Sequence, residues 1–503
     1  MKKAIAMLLA FLFVCAIAGC APVSEEEKSE LSSVKEEESH IEEEEFVLSL
    51  PYSAEDSLSP VKLTGEWNDL ITPLLYDSLY RLDDSFVPVP SMAESIKISG
   101  EECRVTLKKD LKFSDGSAVS AADVVASFRA LKNSRVWGGR LDGVISATAS
   151  GKNQVIFVFR EANKNGAALL TFPVLKKGTE NKDLPIGSGY YRFSEQVGEN
   201  RLLVLNETNP GAKKMPAKQV KLVSVPDAGA VFYALKTGSV DLITATVAEL
   251  SNNRGSYVAC NSRNMVFLGI NSKNGILSDP LVRQAIHRAI NRSEITLGAF
   301  GGLANNAFFP VHPATGDYGT ALYDTTGFTF EKAVSLLSDY KRNNDDALIY
   351  EGRPVSLKLL VNKESSHMTE AAKMVEGMLE NLGLPTEIEA IPLSELQKRV
   401  AAKNYDLYLG EVHLPKDGGL NAFLESDSLI AGGMDALLTR TAWKDYLSGG
   451  EMGGFLDAFS KEVPFVPLLF LQQVVMTGND IAWMITPAEN NPFYRMDEWE
   501  LPR

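Results

Sequence analysis

The stretch that decides the fold runs from Ala93 to Phe128 and reads AESIKISGEECRVTLKKDLKFSDGSAVSAADVVASF. Apolar and polar residues alternate in its first half, and this period of two predicts two half-buried strands separated by a turn at Ser99-Gly100. The second half becomes helical. Ser120 stands where an N-cap is expected, and Asp123 follows at the spacing of a short capping box. The pattern predicts a small α+β unit and does not indicate any catalytic site.

Length and composition bound the class of protein. The chain has 503 residues, enough for two or three domains, and 45% of them are hydrophobic, enough for a large core. The formal net charge of -15 argues against nucleic acid as a partner. The sequence contains no H-E-x-x-H, phosphate-binding loop or C-x-x-C motif. We therefore expect no enzymatic activity, no metal site and no cofactor, and we interpret His287 as a surface residue.

The order of residues in the deciding stretch resembles the signature of family 5 solute-binding proteins, the extracytoplasmic peptide, dipeptide and nickel receptors of ABC importers. The matching segments are Met92–Ser95, Val105–Lys109, Lys112–Gly116 and Ala121–Val125, with a second signature at Val282–Ile286 and Ala289–Arg292. The resemblance implies an α/β chain with a two-lobed periplasmic-binding-protein-like fold (class II, cluster C) and an extra small α+β lobe.

The resemblance also implies a domain organisation. Lobe I is expected to be discontinuous, because the chain leaves it and returns to it twice. The expected segments are 1–19 for a lipoprotein signal peptide, 20–46 for a lipidated cysteine and an acidic disordered tether, 47–72, 181–265 and 470–503 for lobe I, 73–180 for lobe II and 266–469 for lobe III.

The N-terminus carries a second resemblance. Met1-Lys2-Lys3 precedes an apolar run, and Ile17-Ala18-Gly19-Cys20 resembles the bacterial lipobox, whose cysteine receives a diacylglyceryl group. An ordinary signal peptide with a chance cysteine is the alternative. Residues 21–46 contain eleven Glu and two Lys, a composition typical of a solvated tether. We expect Cys20 to anchor the protein outside the cytoplasmic membrane, and Cys103 and Cys260 to remain separate thiols.

The resemblance implies a hinged clamp that binds a peptide backbone by strand addition. In the family a carboxylate fixes the peptide ammonium just after a strand that matches Tyr405–Glu411 here. Asp417 or Glu411 would serve, although Glu411 stands where the family has a tryptophan and the family's following aspartate-tyrosine-proline run is missing. The other candidate ligand contacts are Ser57, Ser59, Trp137, Asn271, Asn305, Phe308, Phe309, His367 and His413.

The function implied is that of a monomeric receptor that captures an oligopeptide or dipeptide and hands it to the permease subunits of an ABC importer. Two alternatives stay open. The same fold would suit a nickel chelate, a sugar or an opine-like amine, and a peptide sensor would signal without transport. Of the functions considered, the residues favour an esterase-like enzyme least.

Overall fold

The computed structural model describes residues 46–65, 67–194, 201–252, 255–316, 328–425, 428–478 and 485–499. Phe46–Arg503 forms one compact unit. The signal peptide, Cys20 and the acidic tether lie outside the described residues, so the predictions about them stay predictions.

Strands and helices follow one another along the whole of this unit. The strands are β1 (Val47–Tyr52), β2 (Tyr80–Leu82), β3 (Pro88–Pro90), β4 (Ala93–Ser99), β5 (Glu102–Leu107), β6 (Val144–Ser150), β7 (Gln154–Phe159), β8 (Tyr191–Phe193), β9 (Arg201–Leu205), β10 (Gln219–Ser224), β11 (Leu242–Ala245), β12 (Ser256–Ile270), β13 (Ala304–Asn306), β14 (Ile349–Tyr350), β15 (Arg353–Pro354), β16 (Leu357–Asn362), β17 (Thr386–Ile391), β18 (Leu407–His413) and β19 (Phe465–Thr477). The α-helices are Thr72–Leu75, Ala121–Lys132, Trp137–Arg140, Ala228–Lys236, Val247–Asn252, Pro280–Ala289, Arg292–Phe300, Phe330–Leu336, Ser366–Leu382, Leu393–Ala401, Asn421–Leu424, Leu437–Leu447 and Met452–Glu462.

The deciding stretch folds as the sequence predicts. β4 and β5 pair antiparallel, and β7 and β6 extend them to a four-stranded sheet in the order β4-β5-β7-β6. The helix Ala121–Lys132 packs on this sheet through Val124 and Phe128. Asp123 Oδ2 accepts hydrogen bonds from the Ser120 backbone N–H at 2.8 Å and from its hydroxyl at 2.6 Å, so the predicted capping box is confirmed.

The largest sheet runs in the order β11-β19-β12-β18-β16-β17, with β13 added beside β19. Side chains of β12 alternate between its two faces, as the period of a strand requires. Val266, Leu268 and Ile270 join one hydrophobic cluster, whereas Met265 and Phe267 join another on the opposite face. Helices therefore cover this part of the sheet on both sides.

A third sheet has the order β1-β10-β9-β8, with β1 parallel to β10. Its core also takes in Val475 from β19 and Trp499 near the C-terminus. The long strands β12 and β19 thus run from this core into the helix-covered sheet. The predicted lobe boundaries stay a prediction.

The interpretation of His287 as a surface residue is wrong. The side chain is buried on the helix Pro280–Ala289, and its Nε2 lies 2.9 Å from the backbone oxygen of Phe308, to which it donates. Burial, with Arg292 nearby, lowers the pKa of His287 to about 3. Helical periodicity did not reveal this because a second layer of chain covers the polar face of the helix.

The cysteine prediction holds for the two residues that the structure describes. Cys103 lies in the sheet of the β4–β7 unit and Cys260 lies on β12, and both are buried free thiols. Burial raises the pKa of each thiol to about 12, so neither is reactive at neutral pH.

Candidate ligand-binding cleft

The cleft begins at an irregularity in the pairing of β12 with β19. Asn261 pairs with Gln472, but the next pair is Asn264 with Leu471, so Ser262 and Arg263 are extra residues on β12. A bulge of this kind breaks the alternation and re-aims a side chain. The Ser262 hydroxyl donates to the Leu471 backbone oxygen at 2.7 Å and closes the bulge.

Arg263 is held in the bulge by Glu489. The Arg263 backbone N–H donates to Glu489 Oε1 at 2.7 Å, and its Nε donates to Oε2 at 2.5 Å. The two side chains are 5% and 4% exposed, so this is a buried ion pair. Arg263 Nη1 is also buried, and it has no hydrogen-bond partner among the described residues.

A cavity of about 970 Å³ opens at this bulge. That volume is at the upper end of the roughly 300–1,000 Å³ typical of small-molecule sites. One wall comes from Thr244–Val247, at the end of β11 and just after it, and another from the end of β18, including Glu411, and the segment after it. Arg135 and Arg140, which lie between the helix Ala121–Lys132 and β6, close the cavity from the β4–β7 unit.

The charge of this cavity differs in sign from that of the whole chain. The charged lining residues are Arg135, Arg140, Arg263, Lys416, Glu249, Glu411 and Glu489, that is, four cations and three carboxylates. Their formal sum is +1, although the chain carries -15. The cleft is therefore a locally cationic region of an acidic protein, which favours an anionic group of a ligand over a cationic one.

Lys416 lines the cleft beside Trp137. Its Nζ donates to Thr171 Oγ1 at 2.7 Å and lies 5.3 Å from the centroid of the Trp137 ring. Burial, together with the nearby guanidinium groups of Arg140 and Arg263, lowers the pKa of Lys416 to about 7. The ammonium is therefore poorly compensated by its surroundings.

Arg140 shares the same indole. Its guanidinium lies 4.9 Å from the centroid of the Trp137 ring, and Nη1 donates to Asp69 Oδ2 at 2.5 Å. The Trp137 ring, at the start of the short helix Trp137–Arg140, thus contacts two cationic side chains.

The two sides of the cleft touch each other. Asn163, which follows β7, donates from Nδ2 to Asp417 Oδ2 at 2.7 Å. The next residue, Lys164, donates its backbone N–H to the Leu447 oxygen at 3.0 Å and its Nζ to the Gly450 oxygen at 2.8 Å. These contacts join chain segments about 250 to 290 residues apart, beside a third cavity that Lys164 and Asp417 line.

The candidate residues named from the sequence are distributed over several places. His367, Glu411 and His413 line the main cavity. Trp137 lines a smaller cavity of about 100 Å³ that shares Arg140 with it. Asp417 lines neither of these but faces a third cavity of about 580 Å³.

Of the two carboxylates expected to fix a peptide ammonium, Glu411 lines the main cavity and Asp417 lies outside it. Its carboxylate accepts from Asn163 and from the Gly419 backbone N–H at 3.1 Å. Burial raises its pKa. The preceding side chain, Lys416, lines the main cavity, because a turn closed by the Gly418 N–H and the Pro415 oxygen separates the directions of the two side chains.

Six further candidates line none of the three cavities described here. Ser59 is fully buried, and its backbone N–H donates to the Ser57 hydroxyl at 3.0 Å. Asn271 is buried too, and its amide donates to the Tyr405 backbone oxygen at 2.8 Å. Asn305 Nδ2 donates to Asn261 Oδ1 at 2.9 Å.

The last two, Phe308 and Phe309, belong to the hydrophobic core. The Arg292 guanidinium lies 4.4 Å from the Phe308 ring centroid, and Phe309 packs edge-on against Phe459. Both side chains fill the interior.

The charged residues of the cleft that sequence reasoning did not name as ligand contacts are Arg140, Arg263, Lys416 and Glu489. One feature of the sequence could have indicated a role for Arg263: it is a charged residue inside an otherwise strand-like segment, NSRNMVFLGI. Within the described ranges, no group of three or more His, Cys, Asp or Glu side chains is arranged to hold a metal ion. Over the same ranges, every helix is too short or too polar to span a bilayer.

Residues 87–425 match the profile of bacterial extracellular solute-binding proteins, family 5 (middle region). Because this match covers more than half of the chain, the protein belongs to that family. The resemblance stated from its signatures is confirmed, and so is the two-lobed α/β fold.

Relatives of two kinds are similar to this chain. The oligopeptide-binding protein AppA of Bacillus subtilis is 27% identical over 370 residues, 67% of this chain and 67% of AppA. The nickel-binding periplasmic protein of Escherichia coli is 21% identical over 371 residues, 67% of this chain and 69% of the relative. The crystal structure of an ABC transporter substrate-binding protein from Sinorhizobium meliloti superposes with a TM-score of 0.73 at 17% identity, over 91% of this chain and 100% of that one.

Proposed function

We propose that this protein is an extracytoplasmic substrate-binding lipoprotein of an ABC importer, which captures peptides between two closing lobes and delivers them to a membrane permease. The observation that carries the proposal is the cavity at the β12–β19 bulge, which is lined by residues of the β4–β7 unit on one side and by β11 and β18 of the large sheet on the other. A ligand held there would be enclosed by hinge closure.

Strand edges beside the cavity support a peptide as the ligand. β18 pairs with β12 as far as His413, but its ladder with β16 ends at Tyr408. Its last residues, including Glu411 and His413, line the cavity. β11 is the first strand of the sheet order, and its residues Thr244 and Ala245 line another wall of the cavity. An extended backbone adds readily to such edges, largely independently of its side chains.

The protein would work as a monomer tethered through Cys20, without a cofactor and without changing its ligand chemically. An anionic metal chelate is the second candidate, because a nickel-binding relative is similar to this chain and the cavity lining carries a net positive charge. A sugar or an opine-like amine has weaker support, since an amine would meet that positive charge.

Uptake in the parent bacterium tests the proposal. Deletion of the gene should abolish accumulation of a labelled tripeptide, and the wild-type gene should restore it. Unchanged uptake, together with a lost transcriptional response to the peptide, would replace transport with sensing. Incubation of the purified protein with the labelled peptide should leave the peptide intact, and turnover would establish an enzyme instead.

A further inference from the structure

We propose that the third cavity is a binding site of its own, which takes a neutral aryl group that carries a hydrogen-bond-accepting oxygen, such as a phenol. The hairpin β2–β3, β4 and the segment after β7 line one side, and the helix-covered large sheet lines the other. Of its described lining residues, the cavity shares Arg263, Leu414 and Lys416 with the main cavity. The inference goes beyond the proposed function and does not depend on the ligand being a peptide.

The lining of this cavity is mostly apolar, and much of it is aromatic. Its volume of about 580 Å³ lies within the roughly 300–1,000 Å³ typical of small-molecule sites. An aryl group packs well against the edges and faces of other rings and against a thioether. The side chains that provide such surfaces here are Tyr80, Phe86, Trp443, Tyr446, Phe470 and Met452.

Two N–H groups of the lining residues are buried without an acceptor. His312 Nδ1 accepts a hydrogen bond from the Ala314 backbone N–H at 3.0 Å, so the imidazole proton is on Nε2. This Nε2–H and the Trp443 Nε1–H have no hydrogen-bond partner among the described residues, and His312 and Trp443 are 4% and 3% exposed. A buried donor without an acceptor costs free energy, and an oxygen of a ligand would remove that cost.

The two donors favour a neutral oxygen. Both are uncharged at neutral pH, because burial lowers the pKa of His312 to about 4. An ionised group would lose its hydration in so apolar a space. Glu94, one of the five charged lining residues, is exposed. The other four are bonded within the protein: Lys164 to the Gly450 oxygen, Arg263 to Glu489, Lys416 to Thr171 and Asp417 to Asn163.

The backbone of Phe86 is strained at this wall. Phe86 lies in the turn between β2 and β3 with a φ of 64°, in the left-handed region that bulky residues rarely adopt. Its ring packs edge-on against His312, with the centroids 4.8 Å apart, and the Phe470 ring lies 4.7 Å from the same imidazole. The hairpin and β19 thus hold His312 between them. Strain of this kind concentrates at binding sites.

Two uncharged probes that differ by one hydroxyl test the inference. They are N-acetyltyrosinamide and N-acetylphenylalaninamide, titrated by calorimetry into the full chain, which is purified in mild detergent and freed of any retained ligand. The tyrosine derivative should bind about fivefold tighter, the worth of one neutral hydrogen bond.

The variants Trp443→Phe and His312→Phe each remove one donor and keep an aromatic ring. The double variant should bind both probes equally. At least one single variant should lower the preference, which keeps the test valid if the double variant fails to fold. Trp499→Phe is the matched control and should keep the preference. Its Nε1 is also buried without a partner among the described residues, but Trp499 belongs to the core of the third sheet and lines none of the three cavities.

Two further titrations identify the source of the aryl group, and either result would uphold the inference. Ala-Tyr-Ala should bind tighter than Ala-Phe-Ala if the site takes a side chain of a captured peptide. Binding of the tyrosine probe in the presence of saturating trialanine would instead indicate a free aromatic molecule beside an occupied main cavity.

Equal affinities within both pairs, or a preference that the folded variants all retain, would overturn the inference. Trialanine binding would then leave the proposed function standing. A preference between the two probes that the donor variants lower, without binding of any tripeptide, would uphold the inference and remove the peptide claim. Binding of none of these compounds would overturn both.

Discussion

Replacing Glu489 by alanine tests the structural basis of the cleft. Glu489 accepts two hydrogen bonds from Arg263, at 2.7 Å from the backbone N–H and at 2.5 Å from Nε. Both side chains are at least nine-tenths buried. Glu489→Ala leaves a guanidinium buried beside Arg140 and Lys416 with one compensating charge fewer. Breaking a buried pair in this way costs about 3–5 kcal/mol of unfolding free energy.

Urea unfolding of the ligand-free protein, followed by circular dichroism, measures this cost. Ligand must be removed first, because bound ligand stabilises the native state by mass action. Asp457→Ala is the matched control, since its ion pair with Lys461 has a similar distance of 2.6 Å but side chains 64% and 66% exposed. It should cost no more than about 1 kcal/mol.

The double variant Arg263→Met with Glu489→Met removes both charges and keeps much of the volume. It should be more stable than Glu489→Ala, because no uncompensated charge remains. A loss below about 1 kcal/mol for Glu489→Ala would refute the reasoning, since it would mean that water or another group solvates Arg263.

Four further outcomes are expected. If an anion binds beside Lys416, the affinity for succinate should fall as pH rises from 7 to 9, because the pKa of Lys416 in the free protein is about 7 and the anion favours the ammonium form, and Lys416→Met should show a flat profile. Burial lowers the pKa of His287 to about 3 and of His312 to about 4, so the unfolded chain takes up these protons first as pH falls below 6.5. Urea unfolding should therefore show a loss on the order of 2 kcal/mol per imidazole between pH 6.5 and pH 5, and equal stability at both values would contradict the burial. Asn163→Ala removes the hydrogen bond to the Asp417 carboxylate across the cleft and should weaken trialanine binding severalfold by calorimetry, whereas an unchanged Kd would deny that this contact stabilises the closed state. Cys20→Ala should move the protein from the membrane fraction to the soluble extracellular fraction, and retention in the membrane would argue against the lipid anchor.

The parts of the fold that depend on short-range order were predictable. The Ser120–Asp123 capping box and the alternation of Cys103 and Val105 are settled within a few residues, and the structure contains both. Family membership followed from the order of residues in the same region.

The site was less predictable, because its geometry depends on contacts between distant segments. Arg263 reaches the cleft only through a register shift between β12 and β19, which are separated by about 200 residues. Whether Lys416 or Asp417 faces the main cavity is a matter of one residue along the chain, and it is fixed by the turn at Gly418, whose N–H donates to the Pro415 oxygen. The burial of Phe309 was equally hard to predict, because Phe309 packs against Phe459, which is distant in the sequence.

Native mass spectrometry of the full chain, purified without denaturation, tests the central claim most directly. Receptors that close over a ligand often retain it through purification. We expect a series of bound masses that sequence as short peptides and disappear on unfolding. A single non-peptide mass or a metal chelate would contradict the peptide claim, and an empty protein whose Tm no peptide library raises would contradict ligand capture in this cleft.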